Sequence, residues 1–230
     1  EMGMFEPWAA LSFLAAVTST VRLGTGICLV PQRNPVYLAK EVATVDFLSG
    51  GRVDLGIGVG WLAEEFAALN VPFEGRGART DAYLEVMRTL WCDEVSEYRG
   101  EHYDLPPSRC YPKPVQRPHP PIFVGGESEA ALRRVARHGQ GWLAFSQSPA
   151  DIASGVARIG AHAEEHGRSP DEIRVVACPY LQPCDPDVAR AYRDAGVDEL
   201  VLLVMAPVVA MLDPVLDDLA TRYLAPEVTD

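Results

Sequence analysis

The sequence predicts an α/β protein with a parallel sheet and helices packed outside it. Three observations carry that prediction. Short β-branched apolar runs alternate with helix-period segments along most of the chain. Helix starts repeat one punctuation, a capping residue followed by proline, at Asn34-Pro35, Ser148-Pro149, Asp185-Pro186 and Asp213-Pro214. The stretch from Val21 to Trp61 reads as a complete strand–helix–strand unit, and two parallel strands need such a crossover.

The elements follow in order. Glu6-Pro7 opens a helix with Trp8, Leu11, Leu14 and Val17 on one side. Val21 to Val30 is a strand pattern and Pro31 to Asn34 a short polar loop. Asn34 caps the next helix, Pro35 takes its first position, and Leu38, Val42 and Val45 form one apolar stripe. Gly50 or Gly51 supplies the left-handed residue after its last turn, and Val53 to Val59 is the second strand. Ala63 to Leu69 is loosely helical, Val71 to Gly77 is a loop, and Thr80 to Trp91 is a helix with Tyr83, Met87, Leu90 and Trp91 at helical spacing.

Residues 95–121 break the rhythm. Val95 to Leu105 resembles a hairpin around Arg99-Gly100, and Pro106 to Pro121 holds seven prolines, too many for a helix or a central strand. The segment reads as an insertion packed over one end of the domain; a domain linker is the alternative. Strands then recur near 122–124, 142–145, 173–181 and 200–205. Helices lie between them, with Ala131, Leu132 and Val135, then Ile152, Val156, Ile159 and Ala163, facing inward. One more helix runs from Asp185-Pro186 to Ala195-Gly196, and the last opens at Asp213-Pro214 with Leu216, Leu219 and Tyr223. Six strands in all fit either an open doubly wound sheet or part of a closed eight-stranded barrel.

The bulk properties exclude several classes. The 230 residues carry a formal net charge of −12, which argues against a nucleic-acid or anionic-membrane partner. The longest apolar run, Leu200 to Leu212, contains Pro207 and is too short for a bilayer, which needs ~20 residues. Five cysteines, an odd number without a C-x-x-C pair, point to free thiols in a reducing cytoplasm. The chain starts at Glu1 and opens directly into a helix, which reads as a sequence lacking an N-terminal piece.

Several motifs invite a chemical reading. Gly56-Ile57-Gly58-Val59-Gly60 is not G-x-G-x-x-G, and its glycines lie inside a strand, where they mark close approach by a side chain or a flat ring. Val124-Gly125-Gly126-Glu127-Ser128 ends a strand at a helix start, an arrangement that exposes free amides to a phosphate or else is a plain tight turn with Ser128 as cap. His162 and His166 with Glu165 match H-x-x-E-H, yet sit at the C-terminal end of an amphipathic helix, where a solvated face complementing the helix dipole is the better reading and no metal is assigned. Arg133, Arg134, Arg137 and His138 suit the dipole of their helix in the same way and are given no ligand role.

Taken together, these pieces resemble the bacterial luciferase-like monooxygenase family, and within it the deazaflavin-dependent oxidoreductases. The residues concerned are Leu23-Gly24-Thr25-Gly26, Pro31, Asn34-Pro35, Leu48-Ser49-Gly50-Gly51-Arg52, and Gly56 to Trp61 with Glu65-Phe66. They continue as Tyr111 to Gln116, Pro120-Pro121-Ile122, Gly125-Gly126 and Gly141-Trp142. The resemblance implies a TIM (β/α)8 barrel forming one domain over residues 1–230, with an insertion near 95–121 and the first two βα units absent. That absence would leave an open parallel edge beside the first strand. It implies a bulge with a non-prolyl cis peptide falling on Gly26-Ile27, and a homodimer. It further implies coenzyme F420, or alternatively FMN, held at the C-terminal strand ends. Gly26 and Ile27 would prop the ring, Gly58, Val59 and Gly60 would lie along it, and Gly125, Gly126, Glu127 and Ser128 would hold its phosphate.

The expected activity is hydride transfer between the deazaflavin and a small organic substrate bordered by Pro31 to Asn34 and the Pro-rich insertion. No catalytic acid is assigned, because in the family it follows a strand this chain lacks. An FMN-dependent monooxygenase and a non-catalytic flavin-binding remnant are the alternatives. An NAD enzyme on a doubly wound sheet needs a G-x-G-x-x-G turn that the sequence lacks.

Overall fold

The computed structural model describes residues 5–204 and 209–224. Helix α1 (Pro7–Val17) starts at Glu6, whose carboxylate accepts from the Ala9 amide. The predicted first strand is split into β1 (Leu23–Gly24) and β2 (Cys28–Leu29), both paired in parallel with β3 (Val53–Gly58). The interruption holds a cis peptide between Gly26 and Ile27, where the family resemblance placed it. Between them lies α2 (Pro35–Leu48), whose Asn34 cap accepts from the amides of Val36 and Tyr37. Leu38, Val42 and Val45 are buried, and Gly50 and Gly51 both take positive φ. Arg52 then donates to the carbonyls of Ala15 and Thr18 and closes the C-terminal end of α1.

Next come α3 (Ala63–Ala68) and α4 (Arg76–Cys92). The hairpin exists, as β4 (Ser96–Gly100) against β5 (Tyr103–Ser108). Its turn lies beyond Gly100, which pairs with Tyr103, so Arg99-Gly100 ends a strand instead of making the turn. β5 includes Pro106 and Pro107, which a two-stranded ribbon tolerates because one side of each strand has no ladder partner. The barrel rhythm resumes with β6 (Ile122–Gly125), α5 (Glu129–His138), β7 (Gly141–Phe145), α6 (Pro149–Glu165), β8 (Arg174–Cys178), α7 (Pro186–Asp194) and β9 (Glu199–Leu200). Helix α8 (Leu212–Tyr223) follows. Its start is not the expected Asp213-Pro214 pair: Met211 occupies the cap position and gives no side-chain bond. The last predicted strand, near 200–205, is confined to Glu199–Leu200, and Met205 lies outside the described residues.

The parallel strands run β1-β3-β6-β7-β8-β9, with β2 also on β3, and curl into a half-barrel with helices outside. The two faces alternate with the period of two that strands impose. Val53, Leu55, Ile57, Val124, Trp142 and Val175 face the helices and are buried in the main core. Gly56, Phe123, Leu143 and Val176 face inward and line a cavity of about 290 Å³. On α1 the expected apolar side is only partly correct: Trp8 and Leu11 are buried, but Leu14 and Val17 are exposed.

The Pro-rich segment packs over one end of the sheet, but not the end expected to face substrate. Asp46 accepts from the amides of Val115 (2.7 Å) and Gln116 (3.1 Å), and the Gln116 amide group donates to the Val53 carbonyl at the start of β3 (2.7 Å). Lys113 donates to the Leu90 carbonyl near the end of α4. These bonds strap residues 113–116 to the N-terminal end of the strands, opposite the C-terminal ends where the substrate was expected.

Candidate active site

The sequence-derived site residues gather at the C-terminal ends of β2, β3 and β6. Ile27 is the organising side chain. It is 39% exposed, and its methyl groups occupy the space that a side chain at Gly58 or Gly125 would need. A Cβ on Gly58 would overlap Ile27 Cδ1, and one on Gly125 would lie 3.2 Å from Ile27 Cγ2. The glycines therefore thin the strand ends for Ile27, which lies across them as a shelf. A Cβ on Gly26 would meet nothing within 4 Å, so the near side of the bulge is open.

Val59 and Gly60 continue past β3 and are half-buried. Gly60 has φ +76°, packs against the Phe66 ring, and accepts from Arg76 Nε at 2.9 Å. Phe66 stands edge-to-face with Phe73, and the Arg76 guanidinium lies 3.9 Å over the Phe73 ring. Gln32, from the short turn after β2, approaches Gly60 and donates to Glu65 at 3.3 Å. Of the expected loop Pro31 to Asn34, Gln32 thus reaches this end, while Pro31 is buried.

The second part is the turn from β6 into α5. Gly126 has φ +109°, and its carbonyl accepts from Trp142 Nε1 at 2.8 Å. Glu127 and Ser128 are exposed. Ser128 caps the helix by accepting from the Ala131 amide at 3.2 Å. Among the described residues, none accepts from the amides of Glu127 to Ala130. Four free N–H groups at the start of a ten-residue helix make an anion cradle. Glu129, behind the cradle, is held at about 2 by hydrogen bonds from Arg158 and His162, and stays ionised.

The other sequence candidates do not join this site. His162 pairs with Glu129, and no group of three metal-ligating side chains occurs among the described residues. Arg134 and His138 are not on a solvated face. Both are buried between α4 and α5, where Arg134 Nε donates to Asp81 at 2.6 Å. The thiols are free among the described residues, and burial pushes that of Cys28 up to about 11.

Sequence reasoning missed one feature of this end. β7 and β8 finish on Phe145 and, two residues beyond Cys178, on Tyr180, whose rings lie 4.8 Å apart at 48°. Both side chains are exposed, and no periodicity signal distinguishes such residues from ordinary strand ends.

A shelf of aliphatic atoms beside an open bulge, followed two strands on by an amide cradle, fits a flat ring with a phosphate tail. Residues 1–222 match the family model described as luciferase-like monooxygenase. The chain belongs to that family. An uncharacterized protein of Mycobacterium tuberculosis is 41% identical over 201 residues, covering 87% of this chain and 70% of that protein. The FMNH(2)-dependent dimethylsulfone monooxygenase of Pseudomonas putida is 27% identical over 196 residues, covering 78% of this chain and 54% of that enzyme. The solved structure of the coenzyme F420-dependent tetrahydromethanopterin reductase of Methanopyrus kandleri has a TM-score of 0.76 at 20% identity, covering 89% of this chain and 83% of that one. The chain thus spans little more than half of the Pseudomonas enzyme. The relatives and structural neighbours thus include an FMNH(2)-dependent and a coenzyme F420-dependent enzyme, and no described helix is long and apolar enough to cross a membrane.

Proposed function

We propose that this luciferase-like protein transfers hydride between coenzyme F420 and a small organic substrate. The observation that carries the reading is Ile27, a half-exposed aliphatic shelf over Gly58 and Gly125, set at the same strand ends as the free amides of Glu127 to Ala130. Ile27 supports one face of the ring, and Val59 and Gly60 border it. Gly125 and Gly126 let the backbone approach the tail, and Ser128 fixes the helix start whose amides, from Glu127 on, bind it. When bound, the deazaflavin supplies a carbon that accepts or donates a hydride; the protein supplies position and exclusion of water. No acid or base is assigned to the described residues.

A second reading, an FMN-dependent monooxygenase, is favoured by the name of the Pseudomonas relative. Titrating the protein with coenzyme F420 and with FMN, followed by absorbance, separates the two. Saturable F420 binding without FMN binding is expected. Tight FMN binding with oxygen consumption overturns the choice of cofactor, binding of a cofactor without turnover supports the non-catalytic flavin-binding remnant, and binding of neither rejects the proposal.

The same reading takes two copies of the chain. Helix α1 carries no charged residue, and it leaves Phe13, Leu14 and Val17 exposed. A helix apolar all round is normally covered, and a second copy offers the same surface. Sedimentation should give twice the 25.1 kDa chain mass, and a monomer at all concentrations rejects the pairing. The free thiols fit a cytoplasmic setting.

A further inference from the structure

The Phe145–Tyr180 pair belongs neither to the Ile27 shelf nor to the helix start at Ser128. It stands at the C-terminal ends of β7 and β8, on the inward face. Leu143 and Val176 lie directly below it in the cavity wall, and β7 follows β6 in the sheet. Ile27 covers β3 and β6, so the aromatic pair is the next surface along the same rim. Phe145 is 48% exposed and Tyr180 44% exposed. Two exposed rings in mutual contact expose apolar area that water disfavours.

The backbone under the pair is built, not loose. Ser146 has φ 56° and Tyr180 φ 61°, left-handed conformations that non-glycine residues seldom adopt. They are held by surrounding bonds. The Ser146 amide donates to the Cys178 carbonyl at 2.8 Å, Gln182 Nε2 donates to the Ser146 hydroxyl at 3.2 Å, and Tyr192 donates to the Gln147 carbonyl at 2.8 Å. Sparsely populated backbone held in place by its neighbours marks functional sites more often than bare loops. Residues across the same ladder are uncharged: Phe145 pairs with Cys178, and the Val201 amide donates to the Ala177 carbonyl. The Tyr180 hydroxyl has no hydrogen-bond partner among the described residues.

We propose that Phe145 and Tyr180 form the substrate-recognition wall, and that the substrate is an uncharged, ring-bearing organic molecule stacked on the pair. This rests on the hydride-transfer reading for its cofactor, but the wall itself is tested without it. The Tyr180 hydroxyl offers one polar contact at the edge of an otherwise apolar surface. Phe145, Cys178 and Val201 at the rim are uncharged, and the charged groups of the inward face, Arg22, Asp54 and Glu199, lie nearer the N-terminal ends of the strands, so a charged group stacked on the pair gains no ion partner from its ladder neighbours.

The probe is 2-naphthol, titrated by fluorescence into the wild-type protein and into Phe145→Ala, Tyr180→Ala and Phe145→Leu. Each titration is done with the bound cofactor and again without it, and cofactor affinity and circular dichroism are measured on every variant. Saturable binding to the wild type is expected, weakened ~tenfold by each alanine and less by leucine, with cofactor affinity unchanged to within about twofold. No saturable binding to the wild type, or equal affinity in wild type and alanine variants, overturns the wall. If an alanine variant loses its native spectrum, Phe145→Leu decides: affinity equal to wild type overturns the wall, and a measurable loss supports it. If neither cofactor binds any protein while naphthol still senses Phe145, the hydride-transfer reading fails and the recognition surface stands.

Discussion

The two faces of the curled sheet differ in kind although they alternate along the same strands. On β3, Val53, Leu55 and Ile57 face the helices with no exposure, while Asp54, Gly56 and Gly58 face inward. The outer face is continuous aliphatic packing closed by Trp91, Trp142 and Leu38. The inner face carries glycines, the Arg22–Asp54 ion pair and a cavity. The lesson is a division of labour at single-residue spacing: odd positions of β3 hold the fold, and even positions leave room for something that is not protein.

The largest effect that tests this division is on the outer face. Leu55→Ala removes a fully buried side chain between β3 and its helices, and should cost ~3 kcal/mol in urea denaturation. Cofactor affinity per folded molecule should be unchanged. A loss of affinity without a loss of stability would merge the two faces into one.

Acid stability comes next, and its source also lies outside the inner face. His138 is fully buried between α4 and α5, with Asp81 and Glu85 facing it at 3.8 and 3.4 Å. Burial and the guanidiniums of Arg88, Arg137 and Arg134 outweigh those carboxylates and hold the imidazole at about 3, below its ordinary 6.5. The folded protein thus keeps His138 neutral where the unfolded chain protonates it. Stability is complete above the ordinary value and falls as pH drops toward the folded one, by ~2 kcal/mol near pH 5. His138→Gln should flatten that limb of the stability–pH curve; an unchanged slope would show that other groups set it.

Ser128→Ala should cost ~1 kcal/mol or less, because it removes one cap bond from α5. It leaves the Ala131 amide unpaired beside the cradle, so cofactor affinity should fall only modestly, measured by the same absorbance titration. A loss beyond about tenfold would mean that the hydroxyl itself touches the tail.

How much of this was readable in the residues differs between the faces. The outer face was legible because burial imprints a period: Leu38, Val42 and Val45, or Ala131, Leu132 and Val135, fall inward as their spacing requires. The cap-plus-proline starts at 34, 148 and 185 were legible for the same local reason, while 213 was not, since Met211 precedes it. The inner face was legible only through family resemblance, as glycine records that space is needed and not what fills it. Ile27 filling the space at Gly58 is a contact between separate strands. The end that the Pro-rich segment covers is not legible, because proline content shows what a segment cannot be; the Asp46 carboxylate that pins it lies far away in sequence. Burial of Arg134 and His138 is not legible in the sequence because their partner Asp81 sits on another helix.

The smallest effect on stability is the most informative about the inner face. Gly58 lies in regular strand backbone, so alanine there is not excluded by conformation and gains ~0.4–1 kcal/mol from a less mobile unfolded chain. The new methyl would overlap Ile27 Cδ1, with Ile27 Cγ1 at 3.2 Å and Leu29 Cδ2 at 3.6 Å. The clash is with the end of a flexible side chain, so Ile27 rotates at a cost of ~0.5–1.5 kcal/mol, and the two contributions nearly cancel. Gly58→Ala should therefore melt within a few degrees of the wild type while its shelf is turned out of place. If Ile27 supports the ring, cofactor affinity falls although the fold is intact, and Ile27→Val, which shortens the same side chain without displacing it, should lose much less. If Gly58→Ala binds cofactor as the wild type does, the glycine serves only the packing of Ile27 and the shelf has no ligand.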